Sequence, residues 1–135
     1  MRSTAQWGAL VFGIVFLLVG ILGLLVENGM AMDADMETAG MLFGLFPVNL
    51  LHNIVHLAFG LWGLMASRST DASRTYGRAG AVIYGVLVVV AFLSPNLFGL
   101  VPIGGNDIWL HALLALGLAY IGFAGKESVR TAVPT

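Results

Sequence analysis

The sequence predicts an all-α fold: a polytopic membrane protein made as a four-transmembrane-helix bundle of two tandem helical hairpins. Three observations carry that expectation. Of 135 residues, 59% are hydrophobic and 10% charged, whereas a soluble domain is about 25% charged; the mean hydropathy is +0.93. Four apolar runs each approach the roughly 20 residues needed to cross the hydrocarbon core. The second half of the chain also repeats features of the first.

The first span is expected near 7–26, uncharged between Arg2 and Glu27. It is longer than the roughly 7–15 apolar residues of a signal peptide, so it reads as a retained helix. The second lies near 47–66, with Pro47 at a favoured first helical position. The third lies near 79–97, weakened by Pro95, and the fourth near 107–125. The whole chain, 1–135, reads as a single membrane domain.

All six basic residues fall on one side of this arrangement: Arg2, then Arg68, Arg74 and Arg78 between spans two and three, then Lys126 and Arg130. The positive-inside rule places both termini in the cytoplasm of a multi-pass protein of the cell (plasma) membrane. Glu27, Asp33, Asp35 and Glu37 then occupy the outer loop. Near-neutral net charge and the lack of a basic run exclude nucleic acid as a partner. With no cysteine, disulfides, thiolate metal sites and cysteine catalysis are excluded. The remaining partners are the lipid bilayer and a second membrane protein or a second copy, for which glycines such as Gly13, Gly63, Gly80 and Gly85 provide close-packing faces.

The repeat locates the polar chemistry. Leu42-Phe43-Gly44-Leu45-Phe46-Pro47 matches Leu97-Phe98-Gly99-Leu100-Val101-Pro102 at an offset of 55 positions. His56 then falls on His111, and His52 on Asp107. Gly8-Ala9-Leu10-Val11-Phe12-Gly13 resembles Gly80-Ala81-Val82-Ile83-Tyr84-Gly85 at an offset of 72, so the first outer loop is the longer. Each hairpin returns the chain to its starting side, and the repeats are expected to be parallel, about an axis along the membrane normal.

Ionisable groups within membrane spans are costly and need a reason to be there. His52 and His56 are one helical turn apart, as are Asp107 and His111, so each pair shares a face. Asn49 and Asn53 flank the first pair, and Asn106, read as the N-cap of span four, flanks the second. Three readings remain open. His52, His56 and His111, with Asp107 as fourth ligand or orienting partner, suit a divalent metal such as Zn, Fe or Mn. His56 and His111 alone suit the axial positions of a b-type haem in an electron-transfer protein. Or the four groups hydrogen-bond with Asn49, Asn53 and Asn106 and hold the helices in register in a structural subunit of a larger complex. Asp107 also suits the helix dipole in the first turn of span four. Trp7 and Trp109 fit interfacial anchors. The outer loop's Met30, Met32 and Met36 suit Cu(I) in type, but read more simply as part of a solvated acidic loop. No nucleophile–base pair or phosphate loop is visible, so enzymatic catalysis is the least supported class.

The stretches His52-Asn53-x-x-His56-Leu57 and Trp109-Leu110-His111, with Leu45-Phe46-Pro47-Val48-Asn49 and Val101-Pro102-Ile103 before them, resemble a bacterial family of small four-helix membrane proteins, catalogued as domain of unknown function 4383. The resemblance runs from the first span to Phe123. It implies a small integral protein of the bacterial cell envelope and implies no activity, leaving a metal-binding or sensory module as the leading reading.

Overall fold

The computed structural model describes residues 1–124. Gly125, Lys126 and Arg130, and with them the end expected for the fourth span, lie outside the described residues. The chain runs α1 (Thr4–Leu25), a short antiparallel hairpin of β1 (Gly40–Leu42) and β2 (Phe46–Val48), α2 (Leu50–Ala66), α3 (Thr70–Leu93), a 3-10 turn (Leu97–Gly99), and α4 (Asn106–Ala119) ending in a π turn (Tyr120–Ala124). It is an all-α bundle apart from the two three-residue strands.

Local chemistry sets the helix ends. Ser3 opens α1 with a capping box: Gln6 N donates to its Oγ at 3.2 Å and Ser3 N donates to Gln6 Oε1 at 2.9 Å. Asn49 caps α2 by accepting from His52 N at 2.9 Å. Pro47, expected as the first helical residue, instead lies in β2 opposite Met41, because the side-chain acceptor that starts the helix comes two residues later. α3 begins at Thr70 behind the cap Ser69, so Arg74 and Arg78, expected in a loop, lie on its first turns. It stops ahead of Pro95, whose ring pushes Ser94 into extended backbone. Asn106 is not the N-cap of α4. Gly105 takes that position at φ 61 with no side-chain cap, and the Asn106 side chain bonds Leu45 O and Trp109 Nε1 instead.

Three helices, Thr4–Leu25, Thr70–Leu93 and Asn106–Ala124, are long and apolar enough to cross a membrane, and α2 is shorter. At 17 residues, α2 stands at the lower limit of about 17 for a spanning helix. Isoleucine, leucine and phenylalanine side chains are exposed along the helices, as contact with a lipid bilayer requires. Arg2 and Arg68 mark one end of the bundle, where Arg2 Nη1 donates to Ser67 Oγ at 3.2 Å. The acidic loop residues Asp33, Asp35 and Glu37 mark the other.

Packing is tightest within each hairpin, α1 against α2 and α3 against α4. A Cβ at Gly13 would stand 2.8 Å from Leu64 N, and one at Gly77 2.6 Å from Gly122 N, so each backbone pair approaches where no side chain intervenes. Gly85, expected among the packing glycines, faces open space. Between the hairpins, Phe16 and Tyr84 stack with ring centroids 5.6 Å apart and planes 5° apart, joined by Phe59, Trp62 and Tyr76.

That stack fixes how α1 corresponds to α3. Phe16 meets His56 edge-on at 5.3 Å, and Tyr84 meets His111 at 5.2 Å. Phe16 and Tyr84 are 68 positions apart, one helical turn from the 72-position match of Phe12 with Tyr84. Ala5 with Ser73, Ala9 with Gly77 and Gly23 with Ala91 are buried in both members at the 68-position spacing. The glycine-rich match misled because small residues recur at helical spacing on one face and align almost as well a turn away.

Candidate metal centre

His52 sits in the first turn of α2, His56 one turn further in, and Asp107 and His111 occupy the matching turns of α4. All four side chains are buried, between 1% and 6% exposed. Backbone contact between α2 and α4 is sparse, so the side chains make the meeting. The rings of His52 and His56 lie 4.4 Å apart and those of His52 and His111 6.3 Å apart. One ligand nitrogen from each of the three imidazoles falls within 4.8 Å of the others. Asp107 Oδ2 approaches His52 Nε2 at 3.7 Å, beyond hydrogen-bonding reach. All four residues singled out by the repeat are therefore brought together.

The three asparagines do something else. Asn49 caps α2, and its Nδ2 donates to Leu100 O at 2.9 Å. Asn106 Nδ2 donates to Leu45 O at 3.1 Å, and its Oδ1 accepts from Trp109 Nε1 at 3.0 Å. Leu45 and Leu100 are repeat equivalents, so each half's asparagine clasps the other half's turn. Asn53 Nδ2 donates to Gly29 O at 2.9 Å, tying α2 to the turn after α1. Among the described residues, Asn53 alone of the three also lies against an imidazole, that of His52, without a hydrogen bond of full geometry. His52 Nδ1 and Nε2, His56 Nδ1, His111 Nδ1 and Asp107 Oδ2 are buried with no hydrogen-bond partner.

The clasped turns show why Leu-Phe-Gly-Leu-x-Pro occurs twice. Phe43 and Gly44 have φ of 54 and 68, and Phe98 and Gly99 have 55 and 88. Each copy makes a left-handed reversal at Phe-Gly, begun one residue earlier in the second at Leu97 with φ 45, and turns its phenylalanine outward, 71% and 78% exposed. Pro47 and Pro102 are fully buried beneath. The two turns cap the histidine cluster at the acidic end of the bundle.

Sequence reasoning missed the aromatic clamp of Phe16 and Tyr84. Tyr84 carried a signal, since it stands in the repeated glycine segment, but that match paired it with Phe12. Trp109 is about half exposed and packs on Phe46 at 5.5 Å, on the rim of the site. Met30 and Met32 are exposed in the loop between α1 and β1. There, Asp33 accepts from Thr38 Oγ1 at 2.6 Å and from Asp35 N at 3.0 Å, and these bonds, the Thr38 one foremost, hold its carboxyl below the usual range.

Chemically, the arrangement offers three imidazoles and one carboxyl group, converging from two helices in an apolar surround. Against known proteins, the model of the family described as "Domain of unknown function (DUF4383)" matches residues 6–124. No curated protein and no solved structure gives a significant match.

Proposed function

The chain belongs to the family described as domain of unknown function 4383; because that description assigns no activity, we propose a role from the site itself, that of a membrane protein holding one divalent transition-metal ion on His52, His56 and His111. Asp107 is the fourth ligand or the partner that orients His52. The observation that carries this reading is the convergence of three buried imidazoles, ligand atoms within 4.8 Å, while the amide Nδ2 groups of the neighbouring asparagines donate to backbone carbonyls. A buried polar atom without a partner costs about 1–3 kcal/mol, and coordination would relieve several such atoms at once.

The geometry fits a compact ion. Zinc–imidazole bonds of about 2.0–2.1 Å put tetrahedral nitrogens roughly 3.3 Å apart. Closing the cluster onto an ion therefore takes side-chain adjustments of about 1 Å. Nitrogen and oxygen donors without thiolate suit Zn²⁺, Fe²⁺ or Mn²⁺. A b-type haem between His56 and His111 fits less well, because the His52 ring stands 4.4 Å from His56, where the macrocycle would lie.

Placement in the cell follows from charge. With Arg2, Arg68, Arg74 and Arg78 toward one face, and Lys126 and Arg130 in the sequence after α4, both termini are cytoplasmic and the protein lies in the plasma membrane. The metal then sits in the outer leaflet beneath the clasped turns, as a metal-binding or sensory module. The test is metal analysis and an absorption spectrum on detergent-purified protein, with His56→Ala and His111→Ala beside it. We expect one metal ion per chain, no Soret band, and loss of metal in both folded variants. A folded wild type that stays metal-free after incubation with Zn²⁺, Fe²⁺ and Mn²⁺ would overturn the assignment and favour a structural subunit.

A further inference from the structure

The histidine cluster is a wall between two cavities. One lies toward α1 and α4, bounded by Val15, Val19, Phe46, Leu110 and Leu114, and has a volume of about 170 Å³. The other lies toward α2 and α3, bounded by Val55, Ile83, Leu87, Leu97 and Val101, and also has a volume of about 170 Å³. His52, His56 and His111 border both, and Asp107 borders the first. Among the described residues, apart from these four, every side chain on either cavity is apolar except Tyr84, and no lysine or arginine reaches either.

From this we propose that the cavities admit a small, uncharged, apolar molecule dissolved in the membrane and deliver it to the imidazole cluster. Size, charge and access each point the same way. A cavity near 150 Å³ lined by aliphatic and aromatic groups stays dry and takes benzene or xenon, whereas drug-sized ligands need about 300–1,000 Å³. An anion finds no cation to pair with among the described lining residues, and burying an unpaired charge is strongly unfavourable. The cavities lie at the seams between hairpins, where helices pack less closely than within them. Val15, Val55 and Ile83 on their walls are also partly exposed on the lipid-facing surface. Delivery to a bound metal rests on the metal reading above; occupancy of the cavities does not.

The experiment is xenon pressurisation of crystals of the full chain, with metal content read from X-ray fluorescence on the same crystals. Val19→Phe fills the first cavity and Leu87→Phe the second. We expect anomalous peaks in both cavities of the wild type, each variant losing its own peak and keeping the other. In parallel, Co²⁺-loaded protein is titrated with azide, and its visible spectrum should not change. Xenon in neither cavity, ordered water filling them, or an azide-induced spectral shift each overturns the proposal. Xenon in both cavities of a protein that binds no metal leaves the apolar pockets standing and removes the metal reading alone.

Discussion

The two hairpins are built alike where they hold the site up and differ where they touch its centre. Both carry the left-handed Phe-Gly turn, the buried proline, an asparagine clasp onto the opposite turn, an aromatic ring against a histidine, and that histidine itself. At the centre the first half places His52 and the second Asp107; against the histidines the first places Phe16 and the second Tyr84. The connections within the hairpins differ too, an acidic segment with a β-hairpin in one and a single 3-10 turn in the other. Symmetry alone would give a site of two identical ligand pairs. Departure from it gives three nitrogens and one oxygen, a donor set that suits borderline metals.

The largest effect should come from breaking the equivalent pair. His56→Ala and His111→Ala each remove a proposed metal ligand and should weaken binding by more than about 100-fold, the upper range for losing a partner outside the coordination sphere. Because the residues are repeat equivalents, the two losses should agree closely when measured by competition with a chelator. A loss confined to one variant would mean that only one half of the bundle supplies the site.

The unequal pair sharpens the comparison next. Asp107→Asn keeps the shape and removes the charge. If the carboxylate orients His52 across 3.7 Å, affinity should fall about 10–100-fold. Asp107→His makes the halves alike, with four imidazoles, and should retain Zn²⁺ while weakening Mn²⁺, which favours oxygen donors. Equal affinity for both metals in that variant would remove Asp107 from the site.

How much of this was legible in the sequence depends on what each signal rests upon. The fold class and the residues that meet were legible because hydrophobicity and the gapless Leu-Phe-Gly-Leu-x-Pro match are long, redundant signals. Helix starts were less so. Pro47 and Asn49 both suit an N-terminus, and only the three-dimensional partner of each shows which one starts α2. The roles of Asn49, Asn53 and Asn106 were not legible, since an amide within five residues of a histidine is equally placed to bond an imidazole or a distant carbonyl. The carbonyls it chose, Leu100, Gly29 and Leu45, lie 51, 24 and 61 residues away.

Those clasps give the third test. Asn49 is fully buried and does two jobs, whereas Asn106 is exposed. Asn49→Ala should cost about 1 kcal/mol for the lost cap and about 1 kcal/mol more for the lost bond to Leu100 O. Asn106→Ala should cost about 0.5–1 kcal/mol. Thermal unfolding in detergent reads both, and equal destabilisation would show that the clasps, not the cap, dominate at Asn49.

The smallest expected effect separates the turns themselves. Gly44 and Gly99 both have open space where a Cβ would go, so alanine at either position meets only the backbone preference against positive φ. For an L-residue the left-handed well centres near φ of about +57°, and occupying it costs roughly 1–2 kcal/mol. Gly44 at φ 68 stands near that centre and Gly99 at φ 88 stands well outside it. Gly44→Ala should therefore cost about 1 kcal/mol and Gly99→Ala measurably more. The turns are also held differently: the first by strand pairing on both sides, the second by the 3-10 turn, the Asn49 clasp and bonds from Phe98 N to Ser94 Oγ and Gly99 N to Asn96 Oδ1. If Gly44→Ala proves the more damaging, the β-hairpin rather than the glycine conformation sets the cost, and the two turns are alike in sequence but not in what stabilises them.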